Sequence, residues 1–156
     1  MPFNADSVNT LFDRAISYAL QTGMFDSVNG HEPKSAPGNG VTCAVWAQDI
    51  GPIRAGGLSA TSGAVVLQQR IYTNFIQQPF DQIDPEVMAA VANLMSAYSG
   101  DFNFGGQADV RFVDLLGAYG PSLSAQAGYI DIDHKIYRVM TLTVPIIIND
   151  MFAQVA

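Results

Sequence analysis

Basic residues are scarce. There are seven Lys and Arg in 156 residues against 14 Asp and Glu, for a formal net charge of -7. The seven are scattered, at Arg14, Lys34, Arg54, Arg70, Arg111, Lys135 and Arg138. Nucleic-acid backbones are gripped by clustered Lys and Arg, so this distribution argues against direct nucleic-acid binding. Cysteine is nearly absent. Cys43 stands alone, and no intrachain disulfide can form. No apolar run approaches the roughly 18 residues of a membrane-spanning helix. The opening segment, MPFNADSVNTLFDRAIS, has acidic residues and no basic leader, so no signal peptide is expected. Histidine occurs only at His31 and His134, which leaves any metal site short of ligands. There is no Gly-x-Ser-x-Gly, His-Glu-x-x-His, Cys-x-x-Cys, phosphate-binding loop or GxGxxG. No cofactor or metal is therefore expected.

What is present is apolar and uncharged. Hydrophobic residues make up 49% and charged residues 13%. A surface so poor in charge favours a chain partly covered by other subunits. The length fits one domain with its own core.

The clearest strand signal runs through 128–152. Ile130 and Ile132 alternate with Asp131 and Asp133. A polar break at Asp133-His134-Lys135 follows. Ile136, Met140, Leu142 and Val144 then share one parity, with Tyr137, Thr141 and Thr143 on the other. Period-two alternation of this kind reads as a half-buried antiparallel hairpin. Pro145 has no N–H to donate, so a bend, bulge or edge is expected there.

The remaining elements follow from pattern and punctuation. Residues 7–22 read as an amphipathic helix capped by Asp6 or Ser7, with Val8, Leu11, Phe12, Ala15, Ile16, Ala19 and Leu20 on one stripe. Gly23 ends it. Residues 24–40 read as a long loop, 41–49 as a strand with Val41, Cys43 and Val45 on one face, and 50–63 as a second long loop. Residues 64–75 read as a strand that pairs antiparallel with 41–49. Its second face, with Gln68, Arg70 and Tyr72, is polar enough to line a surface or a subunit contact. Residues 80–99 read as a helix, with Asp84 and Pro85 at its start and Val87, Met88, Val91, Leu94, Met95 and Tyr98 on one stripe. Phe102 and Phe104 sit on a short loop that either presents them or folds them back on the helix end. Residues 108–115 read as a strand, 116–124 as a turn and 149–156 as a C-terminal arm. Together these predict a single α+β domain, with a mostly antiparallel sheet and helices packed on one face.

Candidate chemistry is thin. Asp131 and Asp133 point to one face of a strand, a spacing that suits acid–base work or a cation, but they border a turn, where Asp is favoured for local bonding. His134 shares that turn and could pair with Asp133, but a lone turn histidine is seldom catalytic without a cleft and an orienting partner. Cys43, on an apolar face, reads as a small buried hydrophobe.

In layout, the chain resembles the tail-terminator (tail-completion) proteins of long-tailed bacteriophages. The resemblance lies in the N-terminal helix, the long two-strand unit and the helix opening at Asp84-Pro85. It continues in the strand carrying Asp109, Arg111 and Asp114, and in the late hairpin through Tyr129, Ile130 and Tyr137-Arg138-Val139, which leads into Val-Pro-Ile-Ile-Ile-Asn-Asp. It implies a structural virion protein, not an enzyme, assembled in the host cytoplasm and placed at the head-proximal end of the tail. Such proteins form a hexameric ring on the last ring of the tail tube, stop its growth and offer the joining surface for the head–tail connector. DNA would pass through the ring without specific binding, and no membrane is involved. The expected homo-oligomer and tube contacts are Arg54 and Leu58 in the 50–63 loop, Arg70 on the polar strand face, and the Phe102/Phe104 tip. A connector, a tail-tube subunit, or a small α+β enzyme or ligand-binding module are the alternatives.

Overall fold

The computed structural model describes residues 3–32, 40–56, 60–74, 83–101, 103–104 and 110–153. The element order is α1 (Ala5–Thr22), β1 (Ser27–Asn29), β2 (Val41–Gly56), β3 (Ala60–Asn74), α2 (Ile83–Gly100), β4 (Val110–Val113), β5 (Ser124–Ile132) and β6 (Lys135–Ala153). The expected sheet with helices on one face holds only in coarse form. The chain is a single domain with two helices and a mixed, curled sheet of six strands, and sheet predominates. It is mixed because β1, within the expected 24–40 loop, runs parallel to β2. The other pairings, β2–β3, β3–β6, β4–β6 and β5–β6, are antiparallel.

β6 organises the sheet. Along one edge it pairs with β3 from Tyr137 to Ala153. Along the other it pairs first with β5 and then with β4. Its apolar run Val144–Ile148 is buried throughout, as expected of strand residues covered on both faces. Pro145 does not break it. Val66 stays opposite Pro145 with no shift of register. The Pro145 carbonyl accepts from the Asp114 amide at 2.9 Å. A strand residue turns its N and its carbonyl to the same side, so the missing N–H faces that same edge. There β5 has ended opposite Thr143 and β4 begins opposite Ile146. The proline thus occupies the gap between two neighbours, where no ladder bond is lost.

Two expected loops are largely strand. β2 continues to Gly56 and β3 starts at Ala60, so most of 50–63 is paired, with register breaks between Ala47 and Asp49 and between Pro52 and Gly56. The expected C-terminal arm begins as strand, since β6 pairs to Ala153 opposite Ala60; residues 154–156 lie outside the described residues. Gly, Pro and Ser punctuate these segments, but pairing on both sides overrides local preference. At the β5–β6 turn, Asp133 and His134 both have positive φ (53° and 64°). That is the two-residue geometry that matches strand twist.

α1 is capped by Asn4, not by Asp6 or Ser7. The Ser7 amide donates to the Asn4 Oδ1 at 3.1 Å, and the Asn4 amide donates back to the Ser7 Oγ at 3.3 Å. Such a box stabilises a helix start by about 1 kcal/mol. Gly23 closes the helix with φ 67°, as its C-cap role requires. Leu11, Ala15 and Ala19 are buried as the stripe predicts, and Tyr18 joins them, while Leu20 is exposed. In α2, Val87, Val91, Leu94 and Tyr98 are buried as expected, but Met88 is exposed.

One core joins both helices to Cys43 and Val45 of β2, Leu67 and Ile71 of β3, and Leu142, Val144 and Ile146 of β6. It contains one buried polar chain. Tyr98 donates its hydroxyl to the Gln69 Oε1, and the Gln69 Nε2 approaches the Cys43 Sγ at 3.4 Å. A smaller second cluster holds Ala44, Tyr72, Tyr137 and Val139, with Trp46, Ile130 and Ile132 against it. No described helical residue belongs to it.

Candidate interaction surface

Strand parity alone assembles the most distinctive surface. Opposite the parity that enters the helical core, rungs of neighbouring residues cross four strands. One rung is Ala44, Arg70, Thr141 and Gln126; the next is Trp46, Gln68, Thr143 and Ser124. Arg70 lies at the centre. Its guanidinium sits 5.2 Å from the Trp46 ring centroid and 5.9 Å from that of Tyr72. Its Nε donates to the Thr141 Oγ1 at 2.9 Å. Gln68 donates to the Thr143 Oγ1 at 3.4 Å and also to the Gln48 side chain. Each cation–ring contact is worth about 0.5–1 kcal/mol at a partly exposed site. Together they hold a normally mobile side chain in one place.

Arg70 opens onto a cleft of about 310 Å³ formed with Gln126–Ile130 of β5 and with Val139 and Thr141 of β6. Among the described residues no carboxylate lies within ion-pair distance of Arg70, whereas Arg14 pairs with Asp101 at 2.9 Å and Arg138 with Asp84 at 3.0 Å. Arg138 also packs 4.6 Å from the Tyr129 ring centroid, and Tyr129 is 61% exposed. The arrangement presents a fixed guanidinium, amide and hydroxyl donors, and an aromatic at the rim. Chemically it suits a carboxylate or carbonyl group brought in by another surface. Burial raises the Tyr72 hydroxyl pKa above its ordinary value, with Arg70 pulling the other way. The buried hydroxyl of Tyr137 has no hydrogen-bond partner among the described residues.

The other expected contact residues fare unequally. Arg54 is exposed on β2, near the far end of the β2–β3 hairpin. Leu58 and Phe102 lie outside the described residues. Phe104 is no surface contact. It is 1% exposed, with φ 54°, and its ring lies between Tyr18 (5.6 Å, edge-on) and Tyr98 (5.9 Å, stacked). Phe104 takes the inward alternative, filling an aromatic slot between Tyr18 of α1 and Tyr98 of α2. Next to it, Asp101 accepts from the Arg14 Nη2 at 2.9 Å and from the Tyr18 hydroxyl at 2.5 Å. Burial, reinforced by that carboxylate, pushes Tyr18 up to about 12.

The candidate chemistry separates in space. Asp131, Asp133 and His134 are all exposed at the hairpin tip, and none of them lines the Arg70 cleft. Cys43 is fully buried, and desolvation pushes its thiol up to about 12, against the opposing bond from Gln69. That is the opposite of an activated nucleophile. Among the described residues no group of three His, Cys, Asp or Glu side chains is placed to hold a metal ion, and no helix is long and apolar enough to cross a membrane.

A second surface went unread in the sequence. Asp114, just past β4, is 2% exposed. Its carboxylate accepts from the amides of Gly117 (3.0 Å), Ala118 (2.8 Å) and Tyr119 (3.0 Å). The loop so held thrusts Leu115 and Leu116 into solvent. The available signal was an Asp opening a stretch with Gly117, Gly120 and Pro121, a setting in which Asp side chains bond nearby backbone.

No protein-family model matches the sequence, and no curated protein matches it either.

Proposed function

We propose that the chain is a structural virion protein that forms a ring capping the phage tail tube, ends its polymerisation and provides the head–tail joining surface. The observation that supports this best is Arg70, half-buried between two aromatic rings on an open strand face and without a carboxylate of its own among the described residues. Such a group is well suited to a protein surface that supplies the missing acceptor. In this reading both helices form a layer on one face of the sheet, and the opposite face is left for neighbours. The ring is a hexamer, its partners are the tail-tube protein and the head–tail connector, and its place is the head-proximal end of the tail. The net charge of -7 fits a passage that repels DNA phosphate rather than holding it.

The test is capping. Tail-tube protein is polymerised with and without this chain, and tube lengths are measured by negative-stain microscopy. Short tubes bearing an extra end ring are expected, and the Arg70→Glu variant, still folded but melting lower for its lost ring contacts, should cap poorly. Tubes of unaltered length at excess protein would remove the reading. Open-ended tubes made of this chain alone would replace it with that of a tube subunit.

A further inference from the structure

We infer that Leu116 of one copy seats in the apolar groove between α1 and the β2–β3 hairpin of a second copy. This rests on the ring reading and names two surfaces that would join neighbours.

Leu116 is 92% exposed, more than any other large apolar residue described. A lone exposed leucine is unremarkable, but this one is held in place. Three amides of its loop are fixed by the Asp114 carboxylate. Gly117 adopts φ +78°, and a Cβ there would stand 2.9 Å from the Gly120 carbonyl. Leu115 and Tyr119 flank the tip, and each is more than a third exposed. An apolar knob held in this way loses little freedom when it docks.

The groove belongs to other elements of the same chain. It measures about 180 Å³ and is lined by Phe3, Val8, Phe12, Ile50 and Val65 among others. Val8 and Ile50 are exposed apolar residues at its mouth. The charges are of opposite sign. Asp49 lines the groove and Asp6 stands in the first turn of α1, while Arg111, exposed on β4 with its Nε donating to the Asn149 Oδ1 at 2.5 Å, is the cation of the knob's own segment. Knob and groove share no residue, so their union can run head-to-tail, the kind of contact that closes into a ring when the rotation permits.

The experiment uses the full chain with two single variants, Leu116→Asp and Ile50→Asp. Sedimentation equilibrium and light scattering read the association. Each variant should weaken self-association at least about tenfold, with a melting curve like wild type because both side chains are exposed. Mixed in equal amounts, the two should form pairs and nothing larger, since each keeps one sound surface. Leu116→Cys and Val8→Cys copies, mixed and oxidised, should cross-link to each other. Unaltered self-association in both aspartate variants overturns the contact and leaves the ring reading standing. A wild-type chain that stays monomeric up to about millimolar concentration overturns the contact, and one that also leaves tube ends bare when tail-tube protein is added overturns both. Intact rings of Leu116→Asp that fail to cap tubes would assign the knob to the tube subunit, and the contact between copies would be wrong.

Discussion

Replacing Asp114 with Ala should destabilise the domain and release the loop behind it. The carboxylate accepts three backbone N–H bonds at 2.8–3.0 Å. A bond to a charged acceptor is worth about 1.5–3 kcal/mol net when its partners are buried. Ala118 and Tyr119 are exposed, so water can take over part of their bonding and the sum must be discounted. A loss of about 3 kcal/mol remains, which lowers the melting midpoint of a chain this size by about 6–12 °C. Asp114→Asn keeps the oxygen that serves Gly117 and Ala118 and should cost about half as much. Urea titration gives the free energies. Amide exchange at Gly117, Ala118 and Tyr119 should speed up in the Ala variant, with little change in the β3–β6 ladder beyond the global shift. A loss below about 1 kcal/mol, with unaltered exchange at the three amides, would refute the view that this carboxylate builds the loop.

Two further outcomes follow from the core. Tyr98→Phe strands the buried Gln69 carbonyl oxygen and should cost about 1–3 kcal/mol by urea titration. Adding Gln69→Leu should recover part of that loss, because removing both partners leaves no orphan acceptor. Cys43 should resist thiol reagents in the folded chain and react only as it unfolds. Its folded pKa of about 12 lies above the ordinary thiol value, so its share of stability is complete below about pH 8.5 and is lost as pH rises toward 12. Measured stability between pH 9 and 11 in wild type and Cys43→Ala checks that sign.

The sequence disclosed the elements whose periodicity was unbroken. The 41–49 and 64–75 strands pair as expected because Cys43, Val45, Leu67 and Ile71 alternate into one core. The late hairpin and the α2 stripe were legible for the same reason, except that Ile136 and Met88 are exposed. β1 was hidden because three residues, Ser27–Asn29, carry no period and take their order from β2. The strands through Gly51 and Gly63 were hidden because their composition is that of loops. Gly63 is there for close packing, where a Cβ would meet Met151 and Phe152 of β6. Of the candidate surface, Arg70 was legible as a polar-face residue. Its setting against Trp46 and Thr141 depends on cross-strand register. The inward turn of Phe104 depends on Tyr18 and Tyr98 meeting edge-on at 5.2 Å, a tertiary fact with no local trace. Nothing in Leu115-Leu116 marks it as exposed, since the same pair in a strand would be core.

The most direct measurement is the mass of the purified chain by light scattering, with negative-stain images of the same peak. Closed rings of about six copies, with no long tubes, are the expected result. A peak of single chains that stays single when tail-tube protein is added, and leaves the tube ends bare, would contradict it.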